Sequence, residues 1–226
     1  MNKILIIAPH ADDEILGCGG AISYYKKNRF DIYIAIMTNA NKGNPDLYSE
    51  KFISKLRSES LKAHKYLGVK QTLFYDYPAP NLDQYPIAKI SFEIEKLIKK
   101  IKPVKLFIPH IGDSHVDHQI IHKAALVASR PILKSNNISI LAYETLSETE
   151  WGPKKYNLSF VPNYFILLNA DQVNKKLNAF RCYKSQVKKY PHPRSLKNIK
   201  NLSTYRGGNI SHEYAEAFIL IREIIK

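Results

Sequence analysis

The chain has 226 residues, 45% apolar and 24% charged, with 9 glycines and 12 prolines; these values exclude a disordered, collagenous or coiled-coil protein and suit one large domain over 1–226. Lysine and arginine outnumber aspartate and glutamate 34 to 20, a formal charge of +14, which draws in anions (nucleic acid, lipid headgroups, phosphorylated or carboxylated small molecules) without choosing among them. Two distant cysteines, Cys18 and Cys182, exclude a disulfide scaffold, and no apolar run is long enough for a membrane span, so a cytoplasmic protein is expected.

The first element is an apolar strand at 4–8, too short for a signal peptide and followed at once by His10, Asp12, Asp13 and Glu14. A helix is expected at 14–27, a strand at 32–37 and a helix at 47–67 that Gly68 ends. A short strand at 73–75 leads to a helix at 87–101 stopped near Pro103, then a strand at 105–109 and a helix at 117–129. Strands at 139–143 and 164–168 and a helix at 171–183 follow. Strands alternating with amphipathic helices predict an α/β protein built from βαβ units around a mostly parallel sheet. Residues 185–208 show little apolar periodicity, include Pro191 and Pro193, and read as a long loop; 172–212 holds ten basic residues and no acid.

Two clusters carry chemistry. Pro9-His10-Ala11-Asp12-Asp13-Glu14 follows the first strand, and Pro109-His110-Ile111-Gly112-Asp113-Ser114-His115-Val116-Asp117-His118 follows the strand at 105–109. Sites in open parallel sheets collect beyond the carboxyl ends of strands, so both clusters are expected to face one crevice. Imidazole and carboxylate are the usual donors of a catalytic zinc, which takes three protein ligands and leaves a position for water. His10 and Asp13 can converge across the strand-to-helix turn, with His118 as a third ligand. Asp12 must point away from Asp13, which suits a base, and Asp117 is placed to orient a histidine.

Plainer roles are assigned to other residues. His64, on a lysine-rich helix, is expected at the surface, and His122 on a solvent face or packed. Gly17-Cys18-Gly19-Gly20 lacks the spacing of a phosphate loop and is expected to allow close helix–sheet packing, with Cys18 a small packed residue. Trp151 is expected beside a pocket.

The two clusters resemble the motifs of the PIG-L/LmbE-like family of metal-dependent N-deacetylases. The first family motif runs Pro/Ala-His-Pro-Asp-Asp-Glu, with Ala11 here in place of the second proline; the second is His-x-Asp-His, present as His115-Val116-Asp117-His118. Thr38-Asn39, Leu67-Gly68-Val69, Tyr183-Lys184-Ser185-Gln186 and Tyr214-Ala215-Glu216-Ala217-Phe218 extend the likeness over nearly the whole chain. The resemblance implies a Rossmann-like three-layer fold and removal of the acetyl group from an N-acetylglucosaminyl conjugate. It implies zinc, with Fe(II) as a substitute, on His10, Asp13 and His118, Asp12 as general base, His115 held by Asp117 as oxyanion stabiliser or proton donor, and Glu14 in a supporting role. It also brings Arg206 toward the substrate, and Arg57, two residues before Glu59, as a second substrate-binding candidate; family members are often multimeric, so a homo-oligomer is admitted. The basic run adds an anionic substrate as an expectation, with Arg206 first and Arg194 second as its contact. The rivals are an amidase acting on a thiol or sugar conjugate, a non-haem iron oxygenase using two histidines and a carboxylate, and a basic nucleic-acid-binding module, which leaves both clusters unexplained.

Overall fold

A computed structural model describes residues 1–132, 137–155 and 157–225. Its strands are β1 (Lys3–Ala8), β2 (Asp31–Asn39), β3 (Gln71–Pro78), β4 (Lys105–Pro109), β5 (Ser139–Tyr143), β6 (Tyr164–Leu168) and β7 (Tyr214–Arg222). They form one sheet in the order β3-β2-β1-β4-β5-β7-β6. The pairs β1–β2, β2–β3, β1–β4 and β4–β5 are parallel, and β7 runs antiparallel to both of its neighbours. The helices are α1 (Asp13–Lys27), the single turn α2 (Ala40–Gly43), α3 (Glu50–Leu67), α4 (Ile87–Ile101), α5 (Val116–Ala128), α6 (Ala170–Arg181) and α7 (Leu196–Gly208).

The apolar run of β1 explains the layering. Successive side chains point to opposite faces of a strand; Ile4, Ile6 and Ala8 join one core with α1, α3 and α6, while Leu5 and Ile7 join the other with α4 and α5. Both faces are covered, so the strand has no polar side. In α4 the buried residues Ile90, Ile94, Leu97, Ile98 and Ile101 recur at helical spacing, which turns one stripe to the sheet. Helix α1 lies so close to the sheet that a Cβ on Gly17 would stand 2.2 Å from Cδ2 of Tyr143, as the glycine run anticipates. Buried Glu216 of β7 pins the same helix: its carboxylate accepts from the backbone amides of Gly20 (2.7 Å) and Ala21 (2.6 Å) and from Lys176 Nζ (2.6 Å), which also donates to Leu16 O.

Most element bounds agree with the sequence reading within a few residues. Helix α3 starts at Glu50 rather than at 47, because Ser49 caps it by accepting from the amide of Phe52 and Leu47 is exposed. Gly68 closes it at φ 73, in the left-handed region where glycine is unstrained. The expected loop at 185–208 is corrected: its second half is α7, capped by Ser195. The buried residues of α7 are Ile199, Ser203 and Gly207, one per turn and two of them not apolar, so no periodicity showed. Strand β7 begins with the Tyr214-Ala215-Glu216-Ala217-Phe218 motif. Among the described residues no helix is long and apolar enough to cross a membrane.

Candidate active site

From β1 the chain runs outward through β2 to β3, and from β4 the other way through β5. The turns after β1 and β4 therefore part at the carboxyl edge and leave a crevice, the switch point at which open α/β sheets bind ligands. The two clusters stand at these turns. After β1 the backbone swings into α1 at Asp12, whose φ of 113 lies in the left-handed region. A non-glycine residue there is strained and must be held; the Asp12 amide donates to Glu14 Oε2 (3.1 Å), and the His10 amide donates to Asp13 Oδ2 (2.8 Å). Glu14 is fixed in turn by Tyr183 Oη and by His64 Nε2 (3.0 Å). His64 is thus buried rather than at the surface, because it spans Glu14 and Thr72 Oγ1 (2.8 Å). His122 is packed, its Nδ1 donating to Pro109 O (2.8 Å).

His10, Asp13 and His118 meet. His10 Nδ1 is 3.3 Å from His118 Nε2, and Asp13 Oδ2 is 3.4 Å from the first nitrogen and 3.2 Å from the second. Three donors at the corners of a tetrahedron about 2.0–2.1 Å from its centre stand about 3.3–3.4 Å apart, so the triangle has the size of a zinc site. Each imidazole is backed by a carboxylate on its far nitrogen: Asp117 Oδ2 on His10 Nε2 (3.0 Å) and Asp113 Oδ2 on His118 Nδ1 (2.8 Å). Such partners orient metal-ligating histidines. Thr149 Oγ1 donates to Asp113 Oδ1 (2.6 Å). Asp13 Oδ1 is buried with no hydrogen-bond partner. An ionised carboxylate oxygen orphaned in this way is costly, and it belongs to the carboxylate whose other oxygen, Oδ2, forms a corner of the triangle. His10, His115 and Asp117 form a second grouping of donors, in which Asp117 pairs with His10 and accepts from the amide of Leu82.

The electrostatics agree. Burial opposes a charged His10 ring, but hydrogen bonds to Asp117 and Asp13 raise its pKa to about 9. Burial likewise opposes charge on His118, and Asp13 and Asp113 raise it well above the usual histidine value. Asp13 lies well below the carboxylate range, because the two histidines outweigh its burial. Without a metal, protons balance the acids. Burial lifts Asp12 to about 7, with Arg194 opposing and Asp13 and Glu14 adding to the rise.

His115 caps α5 by accepting at Nδ1 from the amide of Asp117 (3.2 Å). Burial and the neighbouring His10 and His118 lower its pKa to about 4. It is therefore neutral, with its proton on Nε2. This corrects one expectation: the Asp117 carboxylate holds His10, and His115 is oriented by the Asp117 backbone. His10, Asp12, His115 and Arg194 line an open cleft of about 200 Å³. Arg194 Nη1 donates to Asp12 Oδ2 (3.1 Å), a contact the sequence did not reveal. Neither Arg206 nor Arg57 lines this cleft. Arg206 is closed on Glu144 through Nε (2.8 Å) and Nη2 (2.6 Å). Arg57 donates to Asp76 Oδ1 (2.6 Å), in a neighbouring hollow whose lining shares no residue with the cleft. Trp151 is exposed and meets His192 edge-on, with ring centroids 6.4 Å apart, and does not line the cleft either.

Comparison with known proteins places the chain among relatives. An uncharacterized deacetylase of Escherichia coli, YaiS, is 29% identical over 187 residues, spanning 80% of this chain and 90% of that protein. The diacetylchitobiose deacetylase of Thermococcus kodakarensis is 24% identical over 225 residues, spanning 96% and 82%. The crystal structure of the conserved protein TT1542 from Thermus thermophilus has the same fold, with a TM-score of 0.78 at 21% identity over 100% of this chain and 97% of that one. Residues 5–129, which include both clusters, match the PIG-L family, described as GlcNAc-PI de-N-acetylase. On that match, over more than half its length, the chain belongs to the PIG-L family.

Proposed function

We propose that the chain is a metal-dependent amide hydrolase that removes the acetyl group from an N-acetylglucosaminyl or related N-acetyl sugar conjugate, giving acetate and a free amino sugar. One observation carries the reading: a triangle of metal-ligand dimensions lies beside a further carboxylate, Asp12, that is not part of it. Amide hydrolysis needs a base next to its ion; an oxygenase with the same three ligands does not, and a nucleic-acid-binding surface needs neither. The family description and the diacetylchitobiose deacetylase relative support N-acetylglucosamine chemistry in particular.

His10, Asp13 and His118 would hold the ion; two nitrogens and a carboxylate oxygen suit zinc, and Fe(II) accepts the same set. When bound, such an ion acidifies water and polarises the amide carbonyl. Asp12 then takes the proton of the attacking water. His115, neutral with its proton on Nε2, would donate a hydrogen bond to the oxyanion, and the proton taken up by Asp12 would pass to the leaving amine as the C–N bond breaks. Both arginines that the charge run offered are already closed on carboxylates, Arg206 on Glu144 and Arg194 on Asp12. This supports an uncharged conjugate over an anionic one.

The test is a panel of N-acetylglucosamine, diacetylchitobiose and an anionic N-acetylglucosaminyl conjugate, assayed for acetate and free amine after loading with Zn(II) or Fe(II). Equal amounts of acetate and amine from at least one of them are expected, with the neutral sugars preferred. Metal-loaded protein that releases acetate from none of them overturns the reading.

A further inference from the structure

The candidate base stands in the first motif, yet what holds its side chain comes from two distant segments. Asp12 Oδ2 accepts from Arg194 Nη1 at 3.1 Å, and Asp12 Oδ1 has no hydrogen-bond partner among the described residues. Asp12 lines the cleft, so the partnerless oxygen is the one left for a proton. The guanidinium is itself fixed: Nε donates to Ser147 Oγ (2.7 Å) and Nη1 also donates to Gln186 Oε1 (3.1 Å). Ser147 is buried, sits at a left-handed φ of 71, and donates its amide to Glu150 Oε1 (2.7 Å). A serine held in so unfavourable a conformation shows that the surroundings determine its place. Residues 147, 186 and 194 all lie beyond the stretch that matches the family.

We infer that Arg194, cradled by Ser147 and Gln186, is a positioning residue that fixes which oxygen of Asp12 faces the cleft. The inference rests on the role of Asp12 proposed above. A carboxylate free to rotate would share its time between two oxygens and several rotamers, and misplacement by about 1 Å costs about 10²-fold in rate. A planar fork bonds Ser147 and Asp12 at once; a lysine ammonium, being a point charge on a flexible stem, does so poorly.

The experiment compares Arg194→Ala and Arg194→Lys with the parent protein in metal content, kcat and KM. The expected result is unchanged metal, little change in KM, and kcat lower by about 10²-fold in the alanine variant, less in the lysine variant. Added guanidinium should raise kcat of Arg194→Ala and leave the parent unmoved. A raised KM at constant kcat makes Arg194 a substrate contact and overturns the inference, as does lost metal or unchanged kinetics. A parent protein without deacetylase activity refutes the functional reading instead. The crystal structure of Arg194→Ala then still decides: a turned Asp12 carboxylate supports the inference, and an unmoved one overturns it.

Discussion

Asp117 Oδ2 lies 3.0 Å from His10 Nε2, joining side chains 107 residues apart. The acid of one motif thus orients the imidazole of the other, and the two clusters act as a unit. Asp117→Asn leaves a carboxamide that cannot repeat both the acceptance from Leu82 N and the pairing with His10. We expect metal affinity to fall about 10–100-fold, as for other partners of metal-bound histidines. Competition with a chromogenic chelator measures this, and unchanged affinity would count against the oriented-imidazole account.

His118→Ala removes one corner of the triangle. Its expected effect is loss of most bound metal and nearly all deacetylase activity, with the circular dichroism spectrum retained. Elemental analysis showing full occupancy in the variant would refute the ligand assignment.

Asp12→Asn keeps the shape of the side chain but cannot accept a proton as a carboxylate does. The variant should bind metal as the parent does and lose at least about 10²-fold in kcat. Normal turnover across the pH range would place the base elsewhere.

Metal uptake should release protons. Free of metal, His10 titrates near 9 and His118 is also raised above its usual value, so both rings are protonated at neutral pH and must lose protons to bind an ion. Affinity should therefore rise with pH up to about 9. The sign for stability follows from the same shift. A raised folded-state pKa stabilises below the ordinary histidine value, and the contribution is lost as pH rises through about 9. Calorimetric titration with Zn(II) in buffers of different ionisation enthalpy counts the protons; no release at pH 7 would show that the rings are already neutral.

Gly17→Ala tests the packing of α1. Its Cβ would meet Tyr143 Cδ2 at 2.2 Å, and Tyr143 is fully buried with its hydroxyl donating to Ile7 O (2.9 Å). Overpacking of this kind costs about 1–3 kcal/mol. Urea denaturation should show the loss, and a variant as stable as the parent would mean that the helix shifts freely.

Legibility tracked how much of each feature is local. Strands β4, β5 and β6 and helix α4 have the bounds read from apolar pattern alone, since that pattern is what buries them. The three candidate ligands could be named because residues that converge after adjacent parallel strands occupy turns visible in the sequence. What failed was long-range. The resemblance implied that Asp117 holds its near neighbour His115, whereas its carboxylate reaches His10. Nothing local marks His64 as the partner of Glu14, 50 residues away. Arg206 and Arg194 are equally basic in a list of residues; Glu144 draws the first aside and Asp12 the second into the cleft.

The place of β7 has a consequence for how the protein is made. It is inserted between β5 and β6, strands that leave the ribosome before it. Until residues 214–222 emerge, β5 and β6 each present an open edge of the kind that recruits other chains. The amides of Gly20 and Ala21 and the ammonium of Lys176 also wait for Glu216. The helix that carries Asp13 is thus secured late in folding, and the nascent chain depends on its last strand to hold the first motif in place.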